Sequence, residues 1–338
     1  MQLRGLSLVA KPPARITAFK CVAPNRIADF IFGRLVIKPF CRGFLLKVLL
    51  HEMSWEEAKS HFEKNNMAII PVGSNEQHGP ANPLGTDHLI AKEIAQEAAK
   101  RTGVVCLQVI PFGVSPHHRQ FWGTVSVAPK VFKNYVKEVC LSLKYYDVRK
   151  IVVVNGHGGN LASLKETARE MREQDVFVSI FEWWPAAVEL LPDIFDPDER
   201  HHAGAEETSV NLALHPQLVK KSKMIDEKLR THRLQMSGIT LPLDSIDETP
   251  TGVFGNQTSA SAEKGKKIFE AVVDALVEHI ALSKKANTEE LMLKKKFETK
   301  RTRKVPPALV LLLLAPAIGW VFAPLRSLTE AEPTILSE

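Results

Sequence analysis

Four consecutive β-branched residues, Ile151-Val152-Val153-Val154, run directly into Asn155-Gly156-His157-Gly158-Gly159-Asn160. A run of that kind fits a strand buried on both faces. Such a strand commits the chain to a sheet with helices on either side. The rest of the middle of the chain repeats the theme. Residues 67–72 form a short apolar run that stops at Gly73-Ser74, residues 104–110 form another, and residues 176–181 a third. Between them, residues 87–100 put Leu89, Ile90, Ile94 and Ala98 on one helical face, and residues 131–145 and 161–173 read as helices. Residues 260–283 repeat Ile268, Val272, Leu276 and Ile280 at four-residue steps. Ser54-Trp55-Glu56-Glu57 predicts a capping box opening the first helix. The expectation is an α/β domain: three layers, αβα, around a mostly parallel sheet, with ligands held beyond the carboxyl ends of the strands.

The polar motifs fall at those ends. Gly73-Ser74-Asn75-Glu76-Gln77-His78 leaves the first strand, and Asp87 follows a loop rich in Gly and Pro. Carboxylates and imidazoles suit Zn, Mn or Fe, and an aspartate can bridge two ions. Read alone, Glu76 and His78 could be solvated loop residues and Asp87 only a helix cap. His157 sits between glycines at the end of the β-branched run, well placed as a ligand. The competing reading there is a phosphate cradle at a helix N-terminus, but the glycines match neither of the usual nucleotide-loop patterns. His202-Ala203-Gly204-Ala205-Glu206-Glu207-Thr208-Ser209 offers Glu207 as a ligand or general base, or as a residue favoured near a helix start.

Together these segments resemble the creatininase family. The resemblance rests on Glu76-x-His78 with Asp87, on the Asn-Gly-His motif, on the block from His202 to Ser209, and on Gly113-Val114-Ser115-Pro116-His117 with Gly123-Thr124. It covers about residues 49–280. It implies a creatininase-like αβα domain with two divalent metal ions per subunit (Zn, Mn or Fe), a small-molecule substrate, and a homo-oligomer such as a hexamer. Residue by residue, Glu76 and His157 resemble ligands of one metal, His78 a ligand of the other, and Asp87 the bridge. The chain departs from the pattern twice. Creatininase itself has Tyr-Glu where this chain has Gly158-Gly159, and that glutamate binds metal; Glu207 is the candidate replacement. Many relatives carry a second histidine where this chain has Ala81-Asn82. The implied reaction is hydrolysis of a carbon–nitrogen bond in a small cyclic amide or formamide, with water activated between two metals. His202 or Glu207 would move the proton to the leaving nitrogen. His117, Trp122 and Trp183 (beside Trp184) are the candidate substrate contacts. Alternatives within the family are a formylamino-pyrimidine nucleotide deformylase and a peptide-trimming enzyme. A catalytically silent, membrane-tethered scaffold is the alternative of another class.

Composition bears on the flanks. Residues 1–47 hold nine Lys or Arg against the single acid Asp29, a net +8, which leaves the other 291 residues at −2 of the overall +6. The body of the chain is therefore not basic, which argues against a nucleic-acid partner. Residues 1–48 read as a basic extension, either an acid-poor transit segment or an upstream stretch with little structural role. Residues 49–285 form the expected catalytic domain and 286–304 a basic linker. Residues 305–325 contain no charge over 21 positions, long enough to cross about 30 Å of hydrocarbon as a helix. They predict a C-terminal hydrophobic helix that anchors the protein in a membrane, ahead of a tail at 326–338. The preceding cations would keep the domain on the cytosolic side. Cys21, Cys41, Cys106 and Cys140 form no CxxC pair and read as free thiols.

Overall fold

The computed structural model describes residues 47–292 apart from Gln235. They lie in the unit of residues 46–338; residues 1–45 lie outside the described residues. The elements in chain order are α1 (Trp55–Lys64), β1 (Met67–Val72), α2 (Thr86–Thr102), β2 (Val105–Cys106), α3 (Pro129–Tyr145), β3 (Lys150–Asn155), α4 (Leu161–Glu173), β4 (Phe177–Glu182) and α5 (Trp183–Leu190). They continue with α6 (Pro197–Arg200), α7 (Ala205–Leu214), α8 (Ser245–Glu248), α9 (Ala262–Lys285) and α10 (Thr288–Leu291).

The four strands make one parallel sheet in the order β2-β1-β3-β4. Successive side chains of a strand point to opposite faces, and β1 and β3 are buried on both. Met67, Ile69, Val152 and Val154 pack into one core with α2, α5, α7 and α9. Ala68, Ile70, Val72, Ile151 and Val153 pack into the other with α3 and α4. The expected layering thus follows from the period of two in the apolar runs. Ile268, Val272, Leu276 and Ile280 of α9 are all fully buried, each contributing about 1.5–3 kcal/mol by leaving water. Ser54 and Glu57 form the anticipated capping box at α1.

Two expectations need correction. The strand expected over residues 104–110 is only two residues long. Pro71 of β1 explains the break. Its carbonyl accepts from Ile110 N, but it has no N–H to return on that side. The membrane-anchored, cytosol-facing protein is also not supported: among the described residues no helix is long and apolar enough to cross a membrane. The longest, α9, has 24 residues and carries charges along its length. The hydrophobic helix expected at 305–325 lies outside the described residues.

Strand register positions the functional loops. Val72 pairs with Asn155, and Asn155 with Glu182. The segments that leave β1, β3 and β4 therefore emerge side by side at the carboxyl edge of the sheet. A long connection between α7 and α9 returns to the same edge, closed at its base by a bridge between Asp226 and Asn256.

The tightest helix contact gives a test of this packing. A Cβ on Gly265 of α9 would lie 1.9 Å from the Ser209 carbonyl oxygen of α7. In an exposed helix, glycine to alanine gains about 1 kcal/mol. Here Gly265→Ala is expected to lose about 1–3 kcal/mol through overpacking, read as a lower urea midpoint at unchanged slope.

Candidate metal centre

The loop after β1 carries Glu76 and His78, the first turn of α2 carries Asp87, the loop after β3 carries His157, and α7 carries Glu207. All five meet at the carboxyl edge of the sheet. Donor atoms of Glu76, Asp87 and His157 lie within 4.8 Å of one another, and the same holds for His78, Asp87 and Glu207. Asp87 belongs to both sets. A third set joins Glu76, His78 and His202.

Asp87 is not a helix cap. The N-cap of α2 is Gly85, which makes no side-chain cap bond. Asp87 instead lies in the first turn, where the helix dipole favours a carboxylate.

The imidazoles are oriented by backbone carbonyls. His78 donates from Nδ1 to its near neighbour, the Glu76 carbonyl, at 3.1 Å. Its Nε2 then faces Asp87 Oδ1 at 2.9 Å and Glu207 Oε2 at 3.5 Å. His157 donates from Nε2 to the Val114 carbonyl at 3.0 Å. Its Nδ1 faces Glu76 Oε1 and Asp87 Oδ2, each at 3.1 Å. His202 holds Nε2 2.9 Å from the Gln77 carbonyl and turns Nδ1 towards Glu76 Oε1 at 3.6 Å. In each ring the other nitrogen points at carboxylate oxygen. A metal-binding histidine is oriented in the same way, through its other ring nitrogen.

Unsatisfied atoms mark the same point. Glu76 Oε2 is buried without a hydrogen bond, and buried His78 Nε2 and Asp87 Oδ2 have only the facing groups of the cluster within reach. Buried polar atoms are otherwise nearly always paired. The donor set is two imidazoles and three carboxylates, which fits a borderline divalent ion such as Zn or Mn. Electrostatics points the same way. Burial alone would lower the pKa of His78, but the Asp87 and Glu207 charges hold it well above the usual imidazole range. His157 is raised likewise, against burial, by Glu76 and Asp87. Burial opposes ionisation of Asp87, yet His78 and His157 keep it well below the usual carboxylate range. The field that would protonate both rings equally favours a divalent cation.

The surrounding loops are fixed by side-chain amides. Asn155 clamps the His157 backbone from both sides, with bonds of 2.8 and 3.2 Å. Asn160 accepts from Val114 N and donates to the Gly73 carbonyl, both at 3.0 Å. Asn82 donates to Thr208 of α7 at 2.9 Å, so it fastens the first loop to the helix that carries Glu207. Glu207 accepts from Ala203 N at 2.7 Å. Ala203 itself adopts φ +58°, a strained conformation for alanine of the sort that clusters at functional sites.

Some candidates do not stand where the sequence suggested. His117 lines the cleft above the centre. Trp122 is 97% exposed and Trp183 is fully buried in the core, so neither lines that cleft. Trp184 does, because α5 begins with Trp183 turned inward and the next position turned out. The sequence reading also passed over Gln77 and His118. His118 is buried; its Nδ1 lies 2.7 Å from Ser245 Oγ and 2.9 Å from Gln77 Nε2, and its Nε2 faces Glu76 Oε1 at 3.5 Å. Gln77 also donates to the Gly252 carbonyl at 3.0 Å and accepts from Gly79 N at 2.9 Å. The signal available was position: Gln77 lies between two candidate ligands, and His118 adjoins His117.

A parallel sheet covered on both faces, with imidazoles and carboxylates gathered beyond its carboxyl edge, defines a metal-dependent hydrolase of α/β architecture. Within that class the chain belongs to the creatininase family, whose profile, described as creatinine amidohydrolase, matches residues 51–280. It is accordingly an enzyme of the amidohydrolase type. It is 32% identical over 229 residues to the mycofactocin precursor peptide peptidase of Mycobacterium tuberculosis, covering 63% of this chain and 84% of that one. It is 27% identical over 252 residues to the creatinine amidohydrolase of Pseudomonas putida, covering 69% and 96%. A solved creatinine amidohydrolase superposes with a TM-score of 0.62 at 25% identity, over 71% of this chain and 99% of that one.

Gln77 connects the two loops that flank Glu76. Gln77→Ala would leave buried polar groups on His118, Gly252 and Gly79 without their partner. The expected loss is about 1–3 kcal/mol of stability, measured by urea unfolding of the metal-free protein.

Proposed function

We propose that Glu76, Asp87 and His157 hold one divalent ion, that His78, Asp87 and Glu207 hold a second, and that the enzyme hydrolyses a carbon–nitrogen bond in a small cyclic amide or formamide. The observation that carries this reading is the orientation of the rings. His78 and His157 each give one N–H to a backbone carbonyl and turn the other nitrogen onto Asp87. Zn, Mn and Fe all suit the donor set. A homo-oligomer, hexameric by family resemblance, belongs to the same reading.

A bound divalent ion supplies Lewis acidity, which polarises a carbonyl and makes water a nucleophile near neutral pH. The side chains of the protein do the rest. Asp87 and Glu76 bring negative charge to the centre. His202 is the proton carrier on this reading: its Nε2 is engaged by Gln77, 2.9 Å from the carbonyl and 3.0 Å from the side-chain amide, and its Nδ1 faces the site. Burial and the neighbouring His78 lower its pKa, while the charges of Glu76 and Asp87 act the other way and would stabilise the ring once it takes a proton. It takes the proton released by the attacking water and returns it to the leaving nitrogen. Glu207, already engaged by Ala203 N, takes the holding role rather than the proton-moving one. His118 keeps Glu76 in place through Nε2 while Gln77 and Ser245 fix its other nitrogen.

Elemental analysis after chelation and reloading tests the assignment. The unmodified protein should bind two ions per chain. Asp87→Ala should bind close to none, and Glu207→Ala should retain one and lose about 100-fold in kcat. Fewer than one ion per chain in the unmodified protein, unchanged in Asp87→Ala, would instead favour a silent scaffold.

A further inference from the structure

The cleft above the centre has a volume of about 720 Å³, within the range of about 300–1,000 Å³ usual for small-molecule sites. Its two ends differ in chemistry. The inner end holds the carboxylates and imidazoles. The outer wall is built from Trp184, Val188, Pro192, Pro197 and Phe254. Among the described residues that line the cleft, Arg200 is the sole Lys or Arg.

Arg200 faces into the protein and is only 7% exposed. Its Nη1 donates to Glu206 Oε1 at 2.8 Å. Its Nε and Nη2 donate to the Phe195 carbonyl at 3.2 and 2.9 Å, and Nη2 reaches the Leu191 carbonyl at 3.3 Å and that of Pro192. Every nitrogen of the guanidinium is engaged in closing the loop between α5 and α6. A phosphate or carboxylate in the outer cleft would meet no uncommitted Lys or Arg among the described residues. It would meet Glu206, the exposed imidazole of His201 and an apolar wall, which replace little of the water it loses. The floor is also open, since a Cβ on Gly158 would meet nothing within 4 Å. A flat group has room there, in the cleft that Trp184 also lines.

Resting on the amidohydrolase reading above, we infer that the substrate is an amide whose end remote from the scissile bond is uncharged and apolar or planar. Phosphorylated amides are disfavoured. The outer wall selects by burial of apolar surface, and the charged inner end is reserved for the reacting carbonyl.

Matched substrates test this. Formanilide and 4-formamidophenyl phosphate differ only in the remote phosphate. With the metal-loaded full chain, kcat/KM for formanilide should be at least about tenfold higher. Val188→Lys adds a cation at a position that is 43% exposed, and should narrow that ratio. Trp184→Ala should lower kcat/KM for formanilide more than for formamide. Equal or better turnover of the phosphate would overturn the inference. If neither compound is hydrolysed, the reaction assignment fails, and binding still decides the inference. Isothermal titration should then show benzamide binding more tightly than 4-carbamoylphenyl phosphate, with inorganic phosphate as the control for anion binding at the centre. Tighter binding of the phosphorylated compound, beyond that control, would refute it.

Discussion

Asp87 is a buried carboxylate, 2% exposed, with Glu76 reaching it from one loop and Glu207 from a helix more than a hundred residues away. Clustered negative charge in a low-dielectric interior is costly unless positive charge offsets it. Much of the surrounding structure can be understood as the means of holding that charge together. Asp87 gains from its place in the first turn of α2 and from His78 and His157. Those rings are fixed through the carbonyls of Glu76 and Val114, and the Val114 segment is in turn held by Asn160. Each support depends on the register that sets Val72 beside Asn155. A slip of one residue would turn both strands inside out and scatter the donors.

The polar shell behind the centre extends the same logic outward. His117, His118, His202 and His78 form a run of neighbouring rings, with centroids 4.2 to 4.4 Å apart from each to the next. Burial, with His202 next, pushes the pKa of His118 far down. It therefore remains neutral, with Nε2 turned towards Glu76 and Nδ1 beside Gln77 and Ser245. The long connection that returns from α7 supplies Ser245 and the Gly252 carbonyl. A segment without a strand of its own thus helps to fix the first ligand loop.

The sheet and its two cores were legible because apolar alternation is local and strong. Ile151 to Val154 declare a strand by composition, and Ile268 to Ile280 declare a helix by spacing. Glu76, His78, Asp87 and His157 were legible because each follows a strand or opens a helix. Long-range pairings were harder to read. Nothing local distinguishes Glu206, which pairs with Arg200, from Glu207, which faces His78; their directions are set by the turn at Ala203. Trp183 and Trp184 likewise differ only in which side of α5 they occupy. The shortness of β2 came from Pro71 in its neighbour, a residue that a reading of 104–110 alone does not include.

The second glycine after His157 leaves no room for a side chain. A Cβ on Gly159 would lie 2.1 Å from the Val114 carbonyl oxygen and 2.4 Å from His157 Nε2. No side chain can stand there without displacing the bond that sets the His157 tautomer. By the family resemblance, creatininase carries a metal-binding glutamate at that point; on the assignment proposed here the carboxylate comes from α7 instead. That exchange changes more than one ligand. It leaves the floor beside Gly158 open, and it ties the centre to the loop that Arg200 closes and whose prolines form part of the outer wall. A chain that moves one carboxylate in this way can keep the chemistry of its metal centre while altering the shape and polarity of what reaches it. On the proposed assignment, substrate choice would rest on the residues from Trp184 to Glu207 together with the open floor at Gly158, rather than on His78 and His157 themselves.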